Sequence, residues 1–178
     1  MFKKTIKKYS DKRLRRYFQT QNRYIKFNTL KNSKNIGILW NPDDEDSLEA
    51  YELFRKTLQS RAIKPNGLAQ VSVNREIELL ATVTNSDFLM KSDIGIFGRP
   101  KKSSAEHFIS EPFDILIDLT IAKRNALLYT LVHSKATFKV GYQGSEPNFY
   151  DMHIDVSENP NCKYLLEQVI FYLENIND

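Results

Sequence analysis

Apolar residues along this chain come in two rhythms that alternate: short unbroken runs, and longer stretches with a helical beat. Asn35–Trp40 (NIGILW), Leu68–Val73, Ile94–Phe97 (IGIF), Phe113–Leu119 (FDILIDL), Thr137–Tyr142 and Met152–Val156 are runs rich in strand formers. Breakers such as Asn41-Pro42, Pro65-Asn66-Gly67 and Gly98-Arg99-Pro100 bound them, so they read as buried strands. Between them, Asp43–Arg61 reads as a helix with Leu48, Tyr51, Leu53, Phe54 and Leu58 on one stripe. Acids crowd its first turn, where the macrodipole favours them. Arg75–Val83, with Asn74 as a cap, and Ile121–Ser134 read as further helices; Asp87–Met90 fits either type. Cys162–Ile176 closes the chain as an amphipathic helix with Leu165, Leu166, Val169, Ile170, Tyr172 and Leu173 facing inward.

Strands that are continuous apolar runs, separated by helices, predict a mostly parallel sheet covered on both faces with right-handed crossovers. The expected fold class is α/β, a three-layer Rossmann-like or flavodoxin-like sandwich over residues 35–178. Its expected core includes Ile38, Leu39, Phe54, Ile96, Ile115, Ile117, Leu128, Leu131, Val140, Val169 and Leu173. Residues 1–34 form a separate unit, a basic arm and connector. Phe2, Ile6 and Tyr9 share one helical face, as do Leu14, Tyr17 and Phe18. The phase slips at Ser10-Asp11, predicting one broken amphipathic helix or two short ones, with an extended connector over 19–34.

Charge sharpens that division. Residues 1–34 hold twelve Lys or Arg against the single acid Asp11, a net +11, whereas the remainder holds 14 bases and 21 acids, a net −7. The overall +4 therefore conceals a basic arm on an acidic body. Such asymmetry suggests a polyanionic partner for the arm, or docking of the arm on its own body. With 41% hydrophobic and 27% charged residues over 178 positions, the chain has the composition of a globular domain with an appendage. The 6 Gly and 6 Pro are too few for low-complexity segments or a loop-built fold. Apolar runs are too short to span a bilayer, no apolar leader follows Met1, and the lone Cys162 excludes an intrachain disulfide framework. A cytoplasmic protein is expected.

Candidate chemistry is sparse. The loop Asn41–Asp46 (NPDDED) carries Asp43, Asp44, Glu45 and Asp46 where a phosphate-binding turn needs glycines, so a dinucleotide site there is excluded. Those acids read as the start of a helix, capping it internally, in preference to a Mg²⁺ site. The loop 95–102 offers Gly98, Arg99 and Lys101 to an anion, since guanidinium and ammonium suit phosphate. The loop 141–147 offers Gly141, Gly144 and Ser145, which permit close backbone approach to a ligand. Asp118, ending a central strand, completes this candidate ligand-binding set. His107, His133, His153 and Cys162 share no metal-ligand spacing and read as structural. A receiver-type phospho-acceptor site built on Asp43, Asp44, Asp118 and Lys139 is disfavoured, because Lys139 lies within its strand. No catalytic set, metal or cofactor is expected.

The segments FDILIDLT (113–120), LLYTLVHSKATFKVGY (127–142) and YDMHIDV (150–156), with IFGRPK at 96–101, resemble a family of uncharacterised bacterial proteins of similar length. That resemblance implies no activity or site. Residues 113–142 are also similar to the acceptor-side half of heptosyltransferase-like glycosyltransferases, which supports the fold and not the activity. The leading functional expectation is a non-catalytic binding or adaptor protein. Its arm, through Lys3, Lys4, Lys7, Lys8, Lys12, Arg13, Arg15 and Arg16, would dock on RNA or the ribosome in preference to an anionic membrane surface. The alternative is a small-ligand or phosphate-binding enzyme domain using loops 95–102 and 141–147.

Overall fold

The computed structural model describes residues 2–72, 82–142, 144 and 148–176, with side chains from residue 9 onward. Six strands form one sheet: β1 (Asn35–Trp40), β2 (Lys64–Gln70), β3 (Ser86–Leu89), β4 (Ile115–Asp118), β5 (Phe138–Tyr142) and β6 (Met152–Ile154). All neighbours are parallel, in the order β3-β2-β1-β4-β5-β6. The described helices are α1 (Phe2–Thr20), α2 (Ser47–Ser60), α3 (Ser103–Ser110), α4 (Asn125–His133) and α5 (Cys162–Asn175). This is a Rossmann-like α/β architecture.

Alternation along the strands divides the interior into two cores. Ile36, Ile38, Trp40, Ile115, Ile117 and Val140 face α2 and α5, where Phe54, Leu58, Val169 and Leu173 meet them. Leu39, Leu68 and Leu116 face the other way, onto Phe108 of α3 and Leu127 and Leu131 of α4. α1 adds an outer layer on that second face, sending Leu14 into the same core. The connector is fastened too: Leu30 is buried, its N–H donates to Leu173 O at 3.2 Å, and Arg23 pairs with Asp151.

Several local expectations need correcting. Ile94–Phe97 is not a strand. Gly95 N–H donates to Arg99 O at 2.7 Å, Ile94 bridges to Pro100, and Phe97 takes a left-handed φ of 62°. Two glycines and a proline close the segment into a turn, and Ile96 is left 75% exposed instead of entering the core. The third strand is Ser86–Leu89. Pro65-Asn66-Gly67 does not end a unit but lies inside β2, where a Cβ on Gly67 would sit 2.6 Å from the Tyr51 hydroxyl. The glycine thus admits the Tyr51 ring, which stacks on Trp40 at 4.6 Å. The phase slip at Ser10 does not break α1, because Ser10 turns inward and donates to Phe97 O at 3.1 Å. Leu53 and Tyr172, expected inward, are exposed, and Leu128 is only half-buried. The helix Ser103–Ser110 was not anticipated, and most of the segment Arg75–Val83 lies outside the described residues.

Candidate functional site

Strand order reverses between β1 and β4, and open parallel sheets bind ligands outside the carboxyl ends of strands at such a point. The register pairs Leu39 with Asp118, which brings the loops after β1 and β4 to the same level. The Asp44 carboxylate crosses this gap and accepts the N–H groups of Ile121 at 2.8 Å and Ala122 at 3.2 Å, with Asn41 Nδ2 at 2.7 Å. Burial raises its pKa, and those hydrogen bonds oppose the rise. The acids here therefore do not cap α2: Asp46 at its start has φ 58° and makes no side-chain cap. Paired backbone N–H groups of this kind are what an anionic ligand would take. Asp43 meets Arg124 at 2.8 Å and Ser72 Oγ at 3.0 Å.

Asp118 is buried beside this bridge. It accepts Thr120 N–H at 2.9 Å, Thr120 Oγ1 at 2.6 Å and the Tyr150 hydroxyl at 2.6 Å, with Lys123 Nζ at 3.5 Å. Lys123 also donates to the Tyr150 oxygen at 2.6 Å. Burial, then the neighbouring Asp118, raises the Tyr150 pKa well above its ordinary value, so the phenol stays a neutral donor. Cys162 donates to Leu119 O at 3.3 Å, and burial pushes its thiol up to about 12, leaving it a poor nucleophile. Among the described residues, no three His, Cys, Asp or Glu side chains gather as a metal site. The Asp43, Asp44 and Asp118 carboxylates are all partnered here, whereas Arg124 Nε and Ser47 Oγ are buried without a hydrogen-bond partner.

A second polar concentration lies on the outer face. Leu14 and Phe18 fix α1 to the body, with Phe18 edge-on to Phe149 at 5.3 Å. Lys12, Arg13, Arg15 and Arg16 stay exposed. α1, the turn 94–100 and α4 enclose a pocket of about 260 Å³, lined by Ser10, Arg13, Tyr17, Phe97, Arg99 and His133 among others. The His133 ring stacks between Tyr17 at 4.2 Å and Tyr129 at 3.9 Å, with Nδ1 2.9 Å from Tyr129 O. Burial lowers its pKa; Lys139, Arg13 and Arg99 push the same way against the Tyr129 carbonyl. The imidazole is thus neutral at neutral pH. Beyond Tyr17 and His133, a wider pocket of about 520 Å³ is lined by Arg23, Tyr24 and Lys135.

Some of the candidate residues fall into these two places. Asp118 and Gly141 are register partners, and the Tyr150 ring occupies the space a side chain at 141 would need, 2.5 Å from its Cβ position. Gly98, at φ +80°, abuts Asn125 O, and Arg99 joins Arg13 in the outer pocket. Lys101 and Gly144 are exposed, and Ser145 lies outside the described residues. Lys3, Lys4, Lys7 and Lys8 sit on the first turns of α1, their side chains outside the described set. Sequence reasoning missed Tyr150, Lys123 and the Tyr17–His133–Tyr129 stack. Only the i, i+4 spacing of Tyr129 and His133 hinted at the last.

Fold and sites together define a Rossmann-like α/β protein with a cationic helix seated on its outer face. Residues 3–176 match DUF6913, a family of unknown function, and the chain belongs to it. No curated protein matches. A crystal structure of an exopolyphosphatase-related protein from Bacteroides fragilis is similar in fold, with a TM-score of 0.51 and 12% identity. The likeness covers 93% of this chain but only 44% of that one, so this chain spans less than half of its length. The local similarity to heptosyltransferase-like enzymes gains no support from these matches. No described helix is long and apolar enough to cross a membrane.

Proposed function

We propose that the chain is a non-catalytic RNA-binding protein whose contact surface is the outward side of α1. The observation that carries this reading is the seating of that helix. Ser10, Leu14 and Phe18 hold it to the body, while Lys12, Arg13, Arg15 and Arg16 remain exposed on a segment already ordered. A pre-ordered row of cations loses less entropy on meeting phosphates than a free arm does. Tyr17 and the 74% exposed Tyr24 stand alongside as faces for stacking bases. The anionic-membrane mode requires an apolar helix face in the headgroup region. Over residues 9–20 that face lies against the body. The enzyme alternative using loops 95–102 and 141–147 calls for Arg99 and Asp118 in one site, and the described residues place them in separate clusters.

The test is fluorescence anisotropy with single-stranded RNA across a salt series, using the wild type and Lys12→Glu/Arg16→Glu. Charge reversal is preferable to truncation, because Arg23 and Leu30 anchor the connector. Losing two phosphate contacts should weaken binding about tenfold or more and flatten the log–log salt slope by about 1.4. No binding at low salt, or a variant equal to the wild type, refutes the reading. Binding to anionic vesicles but not to RNA would assign the arm to a membrane surface.

A further inference from the structure

We propose that the pocket between α1 and the turn 94–100 receives a terminal phosphate, a phosphomonoester and not the diester of a chain interior. The proposal deepens the RNA reading, since an RNA 5′ end is one source of that group and a free small phosphomonoester is the other.

Two guanidinium groups from distant parts of the sequence, Arg13 on α1 and Arg99 on the turn, line the same pocket. Among the described residues neither has an acidic partner, and no carboxylate lines the pocket. Two uncompensated positive charges match a monoester, which carries about −1.5 to −2 at neutral pH, better than a diester with its single charge. At about 260 Å³ the pocket is smaller than those that swallow whole ligands, typically ~300–1,000 Å³, and suits an end group. It is also more enclosed than the wider pocket beyond Tyr17 and His133, as a site for a terminus should be.

Arg99 is held for this task. Its carbonyl accepts Gly95 N–H at 2.7 Å, and Ser10 ties Phe97 O to α1 at 3.1 Å. Phe97 and Gly98 both take left-handed φ values, 62° and 80°, and non-glycine residues so placed cluster where backbone is committed to a ligand. Tyr17, Tyr129 and the neutral His133 supply an apolar, stacked wall that strengthens charge pairing in front of it. Both arginines already lower the proton affinity of His133. A bound phosphate reverses that influence, so the imidazole reports occupancy.

The experiment compares one single-stranded RNA with a 5′-phosphate, the same RNA with a 5′-hydroxyl, and adenosine 5′-monophosphate, all on the full chain. Expected is an affinity about tenfold or more higher for the 5′-phosphate RNA. Arg13→Ala and Arg99→Ala should each bring that ratio near one, with Arg99→Ala leaving 5′-hydroxyl RNA nearly unaffected. Arg99→Lys, which keeps charge but not the fork, should lose most of the ratio as well. NMR titration should show the His133 pKa rising on adding either phosphomonoester. A response to adenosine monophosphate without RNA binding keeps the pocket and sinks the RNA reading. Equal affinity for both RNA ends, with His133 indifferent to adenosine monophosphate, overturns the proposal whether or not RNA binds.

Discussion

Replacing Lys139 with Met should remove a pH dependence of stability as well as a hydrogen-bonding group. Lys139 sits on β5, fully buried, and its ammonium donates to Leu131 O at 2.6 Å and Val132 O at 3.3 Å in the last turn of α4. Those carbonyls have no helical partners, and a cation suits that end of the dipole. Burial nevertheless pushes the amine from 10.5 down to about 7, with Arg23 adding to the push and Asp151 opposing it. The unfolded chain therefore binds more protons than the native one between those values, so stability rises with pH through that window. The full span is worth about 5 kcal/mol at 1.36 kcal/mol per tenfold change in proton affinity. Between about pH 6 and about pH 9 the wild type should gain about 2–3 kcal/mol from this group alone, and K139M none of it. The variant also loses its donors to both carbonyls, a roughly pH-independent cost of about 1–3 kcal/mol. Urea unfolding of both proteins at the two pH values measures the difference of slopes. Parallel curves would refute the depressed amine, whatever their offset.

Two further substitutions probe the crevice. Gly141→Ala places a methyl 2.5 Å from the Tyr150 ring, which Asp118 and Lys123 hold by its hydroxyl. It should cost about 1–3 kcal/mol in urea unfolding, and Gly141→Ala/Tyr150→Ala should show strong non-additivity. Asp44→Ala strands the N–H groups of Ile121 and Ala122 and should lower stability by about 1–3 kcal/mol. Adding inorganic phosphate should restore part of that loss, read as a rise in Tm larger than the one the wild type shows through its Arg13–Arg99 pocket.

The parallel sheet was legible because its central strands are buried on both faces. NIGILW and FDILIDL read as strands in isolation, and the helices between them leave only a crossover topology. Ser86–Leu89 was not legible: Asp87 is exposed, and only Leu89 of the four is fully buried, so no periodicity marks it. IGIF failed in the opposite sense, since four apolar-rich residues suggest a strand until Gly95 and Gly98 are weighed as turn formers. For the sites, charge located the arm but could not show that α1 is seated. Arg13 and Arg99 were each suspected for different ligands. Only the packing of α1 on α4 and the turn put them in one pocket. Asp44 was misjudged because its partners, Ile121 and Ala122, lie in a loop that local rules cannot connect to residue 44.

The anchors of α1 and the connector also bear on synthesis. Ser10, Asn28 and Arg23 bond to residues 87, 86 and 128 positions further along. At a synthesis rate of about 5–20 residues per second, those partners follow the arm by roughly 4–25 s. The most cationic stretch of this sequence is therefore synthesised before any of the three partners that hold it. Throughout that interval none of these three bonds can form, and the arm is free of the constraint they impose. Closure of Thr137, Asp151 and Phe97 around it ends that freedom, and the surface that α1 presents afterwards is set by the finished body and not by the arm alone.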